Sequence, residues 1–143
     1  MANEAPPPAA GGSAPAPAPA AASGIDPKLG GLLCYLPIGP IPLIADIFFL
    51  VAEPYKSDKF LRFHAFQSLF TGIALCILWF VVVIVGLILG AIFPLLALIV
   101  IPLYMILGLG ALVLFVICMI KAYSGQMWRI PFVGYFAAKQ AGV

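Results

Sequence analysis

The residues best suited to chemistry form a polar stripe near the start of a long apolar run. They recur at i, i+3, i+4 and i+7, a spacing that places them on one face of a helix. The members of this stripe are His64, Gln67, Ser68 and Thr71. Inside a bilayer, such groups either line a polar path, in which His64 would accept a proton, or hydrogen-bond neighbouring segments. The sequence favours hydrogen bonding over a path.

Two charged residues extend the stripe into a candidate polar cluster. Asp46 lies seven positions before the next charged residue, which in a helix puts it about 10 Å from the following loop. An ionisable group at membrane depth costs about 2.5–3.5 kcal/mol, so Asp46 is a candidate site residue, with Arg62, His64 or Gln67 as its expected partner. Alternatively, Asp46 caps a helix that restarts after Pro42, or reaches the surface with a water. The polar cluster comprises Asp46, Arg62, His64, Gln67, Ser68 and Thr71.

The sequence contains no recognisable catalytic or metal-binding set. An acid and a histidine lack a nucleophile, a second buried carboxylate or a metal cluster to act with. Cys34, Cys76 and Cys118 are widely spaced and form no C-x-x-C pair, so we predict that they are small apolar fillers. The expectation is a protein that is not an enzyme, with no catalytic residue, no cofactor and no metal site.

The composition identifies the class of protein that carries this cluster. Of the 143 residues, 64% are hydrophobic and 8% charged, and the mean hydropathy is +1.19. A soluble domain is about one-half apolar and about one-quarter charged, so a soluble enzyme is excluded. Seven basic and five acidic residues give a net charge of +2, too small for a nucleic-acid-binding surface. The chain is predicted to be an integral membrane protein.

A charge-free run over residues 65–120 predicts a two-helix hairpin. As one helix, these 56 residues would be about 84 Å long, against a hydrocarbon core of about 30 Å. The run therefore folds back, and residues 90–94, which end in Pro94, are the expected turn. Open strands are not tolerated in lipid, so the predicted membrane segments at 66–89 and 95–120 are helical. The predicted fold class is an all-α integral membrane protein.

An earlier apolar segment at 29–52 is broken by proline. Pro37, Pro40 and Pro42 each exclude regular helix locally, so a continuous helix is not expected. Two arrangements are open: a crossing segment with an unwound centre, or a re-entrant hairpin whose arms enter and leave on one side. Unwound backbone at membrane depth must be covered by protein or face a water-filled cavity. Both arrangements therefore pack this segment against the later hairpin.

The two ends of the chain differ in composition from its centre. Residues 1–27 contain 10 Ala and 7 Pro and are predicted to form a disordered tail, which leaves 28–143 as the helical membrane domain. Residues 121–138 mix basic and aromatic side chains, as is typical of the membrane interface. Six of the seven basic residues flank the predicted hairpin on one side. The positive-inside rule then places the 53–63 loop and the C-terminus in the cytoplasm.

Glycines in the hairpin offer a surface for close helix packing. Gly86 and Gly90 form a G-x-x-x-G pattern, which lets another helix backbone approach closely. The partner is either another chain or the second helix of the same hairpin. We favour the same hairpin and expect Gly86 to pack against Gly108 and Gly110.

Two patches of the sequence are similar to a known family. The residues that carry the likeness are Lys56, Asp58, Phe60, Arg62, Phe63, His64 and Gln67, followed by Ala122-Tyr123-Ser124-Gly125 and Arg129-Ile130-Pro131-Phe132-Val133-Gly134. They resemble small bacterial membrane proteins related to the chloroplast import component Tic-twenty, often labelled as a domain of unknown function. The resemblance covers residues 29–138. It implies a helical inner-membrane protein and, in the plastid relatives, a subunit of a protein-import translocon.

These observations together predict an accessory or scaffold subunit of a membrane protein complex. The alternative is a transport or channel component, with a polar path lined by Asp46, His64, Gln67 and Thr71. The expected partners are the lipid bilayer and either other membrane protein subunits or a second copy of the chain; nucleic acid is not expected. The expected location is the cell inner membrane, crossed more than once.

Overall fold

The computed structural model describes residues 24–143, which form five α-helices and no β-strand. The helices are α1 (Pro27–Leu33), α2 (Ile41–Val51), α3 (Lys59–Ile92), α4 (Pro94–Tyr123) and α5 (Val133–Ala141). The predicted all-α fold class is confirmed. Most of the predicted tail, residues 1–23, lies outside the described residues.

Local sequence explains where the helices begin. Asp26 precedes α1 and accepts a 2.8 Å hydrogen bond from the Lys28 amide, and Asp58 precedes α3 and accepts from the amides of Phe60 and Leu61. Such caps satisfy amides that have no partner within the helix. Proline occupies the first turn of α1, α2 and α4, where its missing N–H costs nothing. Residues 26 and 27 of the predicted tail thus belong to the start of α1.

Among residues 24–143, helices α3 and α4 are the two elements long and apolar enough to cross a membrane. They contain the predicted segments at 66–89 and 95–120, and the chain turns between them at Phe93. Their contact at Gly86 differs from the expectation, because Val100 and Tyr104 fill the space beside this glycine. The Tyr104 hydroxyl also donates to the Val82 carbonyl at 3.3 Å. Gly108 and Gly110 face open space, so the predicted glycine pairing is wrong.

The proline-broken segment, residues 27–51, begins beside the N-terminal end of α3 and runs along it. Gly30 in α1 packs against Leu61, and the Cys34 carbonyl accepts a hydrogen bond from the Ser68 hydroxyl. Gly39, in the turn after α1, borders the same cavity as Cys76 of α3. Its positive φ of 50° is a conformation that glycine adopts readily. The chain thus reaches about four helical turns along α3 before α2 begins.

Helix α2 then runs back along α3, so that its end lies beside the start of α1. Phe49, near the end of α2, packs against Gly30 of α1. Beyond α2, the Tyr55 hydroxyl accepts a 2.8 Å hydrogen bond from the Ile25 amide. Both ends of the segment therefore lie at the N-terminal end of α3. Of the two arrangements left open by the sequence, the re-entrant hairpin is the one in which the chain turns back on itself as it does here, and we call residues 27–51 the N-terminal re-entrant segment.

A second segment, residues 124–141, also runs along α3 and back. The Ile130 amide donates to the Gln67 side chain, whereas the Arg62 guanidinium, about one and a half turns earlier on α3, donates to the Gln140 carbonyl. Helix α5 therefore runs back towards the N-terminal end of α3, and we call this the C-terminal re-entrant segment. Its small residues pack against Phe63. Those residues are Ala137, Ala138 and Ala141.

The sidedness of the chain gives the first testable prediction. With the three native cysteines replaced by alanine, single cysteines at Ser13, Ser57 and Gly142 should all react with an impermeant thiol reagent from the same side of sealed vesicles. The reason is that the re-entrant fold places residue 24, the 53–58 loop and the C-terminus at one end of the bundle.

A cysteine at Phe93, in the turn between α3 and α4, is the matched control and should react from the opposite side. Reaction of position 13 together with position 93 would contradict the re-entrant arrangement.

Candidate functional site

The buried part of the polar cluster is built around Tyr35. The Gln67 side-chain amide donates to the Tyr35 hydroxyl at 3.1 Å, and this hydroxyl lies 3.3 Å from His64 Nδ1. His64 Nε2 lies 3.2 Å from the Gln126 carbonyl. A carbonyl only accepts, so Nε2 carries the proton and Nδ1 accepts from Tyr35. The neutral imidazole is thereby bonded at both nitrogens, and the Tyr35 hydroxyl and the Gln67 side-chain amide each have a partner within this network.

Gln67 also binds the unwound backbone of the C-terminal re-entrant segment. Its side-chain nitrogen donates to the Trp128 carbonyl at 3.1 Å, and its side-chain oxygen accepts from the Ile130 amide at 3.3 Å. Ser68, the next residue on α3, donates to the Cys34 carbonyl in the N-terminal re-entrant segment. One face of α3 therefore holds the non-helical backbone of both segments.

Thr71 and Arg62 occupy the two ends of the polar cluster and act differently. The Thr71 hydroxyl is buried and donates at 2.6 Å to the Gln67 carbonyl of its own helix. Arg62 lies at the surface. Its guanidinium donates at 3.0 Å to the carbonyl of Gln140, which lies in the C-terminal part of α5. The structure thus brings His64, Gln67 and Ser68 together, with Thr71 directly beyond them and Arg62 outside.

Asp46 lies in the middle of α2 and is only 2% exposed. Its carboxyl is close to the Cys34 thiol and the Ser68 hydroxyl, but its Oδ1 has no hydrogen-bond partner among the described residues. The expected pairing with Arg62, His64 or Gln67 does not occur, because these side chains are bonded to Tyr35 and to backbone carbonyls. Asp46 does not cap a helix either, since α2 begins five residues earlier.

A cavity of about 430 Å³ lies beside Asp46, and we call it the Asp46 cavity. Leu43, Ile73 and Ile77 at its wall are each at least half exposed, so it opens sideways onto the apolar surface of the helices. The residues that line it are Gly39, Pro42, Leu43, Asp46, Ser68, Leu69, Gly72, Ile73, Cys76, Ile77 and Phe115. Its walls are therefore apolar apart from the oxygen atoms contributed by Asp46 and Ser68.

Several groups of the site were missed by reasoning from the sequence. Tyr35 carried one usable signal, because it is the one side chain with a hydroxyl group in the segment at 29–52. The backbone groups of Gln126, Trp128 and Ile130 carry no such signal, since backbone amides and carbonyls occur along the whole chain.

Over residues 24–143, no group of three or more His, Cys, Asp or Glu side chains could hold a metal ion. Cys34, Cys76 and Cys118 are all free thiols; Cys34 and Cys118 are buried, whereas Cys76 is exposed.

Comparison with known proteins assigns this fold to a family. Residues 26–137 match the model of MamF/MmsF, the magnetosome magnetite crystal formation protein family. The chain belongs to the MamF/MmsF family. The matched range includes both long helices, the N-terminal re-entrant segment and most of the C-terminal one. The residues of the polar cluster therefore all lie within the part of the chain that defines the MamF/MmsF family.

Archaeal relatives of this MamF/MmsF protein are also membrane proteins. A UPF0132 membrane protein of Methanocaldococcus jannaschii is 34% identical over 119 residues, which cover 80% of this chain and 87% of the relative. A UPF0132 membrane protein of Archaeoglobus fulgidus is 34% identical over 115 residues, covering 80% and 95%. No solved structure matches the chain. The comparisons therefore establish a small membrane protein whose relatives include archaeal proteins.

Stability measurements can test the role of Gln67. Gln67→Leu should lower the free energy of unfolding by about 1–3 kcal/mol, because it leaves the Ile130 amide and the Trp128 carbonyl without their partner. Thr71→Val is the matched control. It removes a bond to a carbonyl of the same helix and should cost about 0.6 kcal/mol or less.

Both variants can be measured in detergent by following tryptophan fluorescence during denaturant titration. Equal losses of stability in the two variants would contradict a special role for Gln67.

Proposed function

We propose that this protein is a non-enzymatic accessory or scaffold subunit of a membrane protein complex. The observation that carries the proposal is that the buried polar side chains of α3 are bonded to the protein's own segments. His64 and Gln67 bind Tyr35 and backbone carbonyls, and Ser68 binds the Cys34 carbonyl. Groups engaged in this way stabilise a rigid shape, which is what an assembly subunit requires.

The alternative function, transport along a polar path, has less support. A path requires polar groups that face a continuous cavity through the bundle. Asp46 and Ser68 border the Asp46 cavity, but His64, Gln67 and Thr71 do not. The cavity also opens sideways, towards the region that lipid would occupy, and not along the axis of α3. The scaffold function is therefore the better supported of the two.

The proposed setting is the cell inner membrane, crossed by α3 and α4, with the 53–63 loop and the C-terminus in the cytoplasm. Support comes from the basic residues, because the re-entrant fold adds Lys28 to the six that flank the hairpin. The proposed partners are the lipid bilayer and either other membrane subunits or a second copy. The surface that α5 and the residue before it offer them includes Phe132, Tyr135 and Phe136, each at least 60% exposed.

Family membership supports a structural role in a membrane better than a direct chemical role in mineral formation. The family description names magnetite crystal formation in magnetosomes, whereas the archaeal relatives are named as membrane proteins. What the archaeal relatives have in common with this chain is sequence similarity over most of its length, and they are named as membrane proteins. The likeness to Tic-twenty-related proteins, in which the plastid members are translocon subunits, is consistent with a subunit of a larger assembly.

The double variant Asp46→Asn/His64→Ala distinguishes the two functions. We expect it to reduce the amount of the assembled complex, because removal of His64 leaves the Tyr35 hydroxyl and the Gln126 carbonyl without their partner. Assembly is measured by affinity purification in mild detergent, with identification and quantification of the co-purifying subunits. Ion and solute flux is measured in liposomes containing the purified protein.

The control is Cys76→Ala, at an exposed position outside the polar cluster, which should leave assembly unchanged. Normal assembly of the double variant together with loss of a flux that the unmodified protein supports would overturn the scaffold function.

A further inference from the structure

Asp46 is the one member of the polar cluster whose environment the proposed function leaves unexplained. A buried carboxylate oxygen without a hydrogen bond is strongly unfavourable. The two nearest donors, the Ser68 hydroxyl and the Cys34 thiol, both make their hydrogen bonds to backbone carbonyls in this structure. The single hydroxyl proton of Ser68 goes to the Cys34 carbonyl, and the Cys34 thiol donates at 3.4 Å to the Gly30 carbonyl. Asp46 Oδ1 is therefore a buried acceptor that is open to a donor carried by a bound molecule.

The shape of the Asp46 cavity indicates what kind of molecule could bring this donor. Along α3, the cavity extends from Ser68 to Ile77, nine residues or about 14 Å of helix. Asp46 and Ser68 lie at the end of the cavity that is nearer the N-terminal end of α3. The cavity walls beyond them are apolar. This polarity matches a molecule with one polar end and a hydrocarbon body, oriented as in one leaflet of a bilayer.

The mouth of the cavity indicates where the molecule comes from. The cavity lies between α2 and α3, and the exposed side chains at its rim are Leu43, Ile73 and Ile77. These side chains belong to the apolar surface that faces lipid in a membrane protein. A ligand would thus enter from the bilayer, and it would need to be compact, because about 430 Å³ lies at the lower end of small-molecule pockets.

We propose that the Asp46 cavity binds a single-chain amphiphile from the membrane, whose polar end, a protonated amine or a hydroxyl, donates a hydrogen bond to Asp46. The carboxylate recognises the donor, and the apolar wall between Leu69 and Ile77 holds the chain. This binding is independent of the proposed scaffold function, since that proposal rests on the hydrogen bonds of His64 and Gln67. An ordinary acyl chain would fill the cavity but would leave Asp46 without a partner.

The experiment uses the full-length protein in nanodiscs and three dodecyl probes that carry the same diazirine in the chain. The probes end in a primary amine, a hydroxyl or a methyl group. Photolabelling of the unmodified protein should be saturable for the amine and the hydroxyl, and mass spectrometry should locate the label within residues 39–46 and 68–77. The relative affinities of the two donor probes identify which donor the site prefers. Equal labelling by the methyl probe would overturn the proposal.

Two glycine variants test the cavity itself. An added side chain at Gly72 extends into open space that belongs to the cavity, so Gly72→Leu should fill it and abolish saturable labelling. Gly110→Leu is the matched control, because Gly110 also faces open space but lies on α4 away from the cavity, and labelling should be unchanged. Unchanged labelling of Gly72→Leu would overturn the proposal.

Asp46→Asn tests recognition of the donor. The amide keeps the size of the carboxyl but loses its charge, so the affinity for the amine probe should fall at least about tenfold. Unchanged affinity would show that Asp46 does not recognise the probe. If this variant does not fold, competition in the unmodified protein decides the question. The unlabelled amine or hydroxyl compound should displace the donor probes, and equally effective displacement by dodecane would overturn the proposal.

Discussion

The structure depends on the requirement that unwound backbone in apolar surroundings be hydrogen-bonded. Two segments of this chain leave regular helix beside α3, around residues 34–40 and 124–132. Water cannot be relied on to bind their amides and carbonyls inside a membrane, so protein groups have to do so. The Ser68 side chain hydrogen-bonds a backbone carbonyl of the first segment, and the His64 and Gln67 side chains hydrogen-bond backbone groups of the second. The polar face of α3 exists because two broken segments lie against it.

Close packing makes these hydrogen bonds geometrically feasible. Backbone groups can reach side chains of α3 only where the segments approach it without large residues between them. Gly30 packs directly against Leu61, Gly31 lies against Phe60, and alanines of α5 pack against Phe63. Small residues permit the same close approach in other membrane proteins. The buried core consequently forms around the first third of α3, whereas the remainder of α3 and α4 presents apolar side chains outwards.

The sequence predicted those features that depend on side-chain pattern. The charge-free run predicted the hairpin, the prolines predicted the broken first segment, and the stripe from His64 to Thr71 predicted a polar face. The direction of the first segment was not predictable, because proline shows where a helix breaks but not where the chain goes next. The return of the C-terminal segment was also missed, since its contacts with Gln67 use backbone groups. Pairing Asp46 with Arg62 failed because Arg62 lies at the surface and binds the Gln140 carbonyl.

The completeness of the hydrogen bonding elsewhere is what makes Asp46 informative. Among the described residues, its Oδ1 is the buried side-chain oxygen or nitrogen atom that lacks a partner. Tyr35, His64 and Gln67 have their hydrogen bonds satisfied within one network, and a buried carboxyl oxygen is expected to be satisfied as well. A leucine at this position would pack with its neighbours and require no partner. Because sites that break local rules are commonly functional, a buried acid that opens onto an apolar cavity is better explained by a ligand than by the fold.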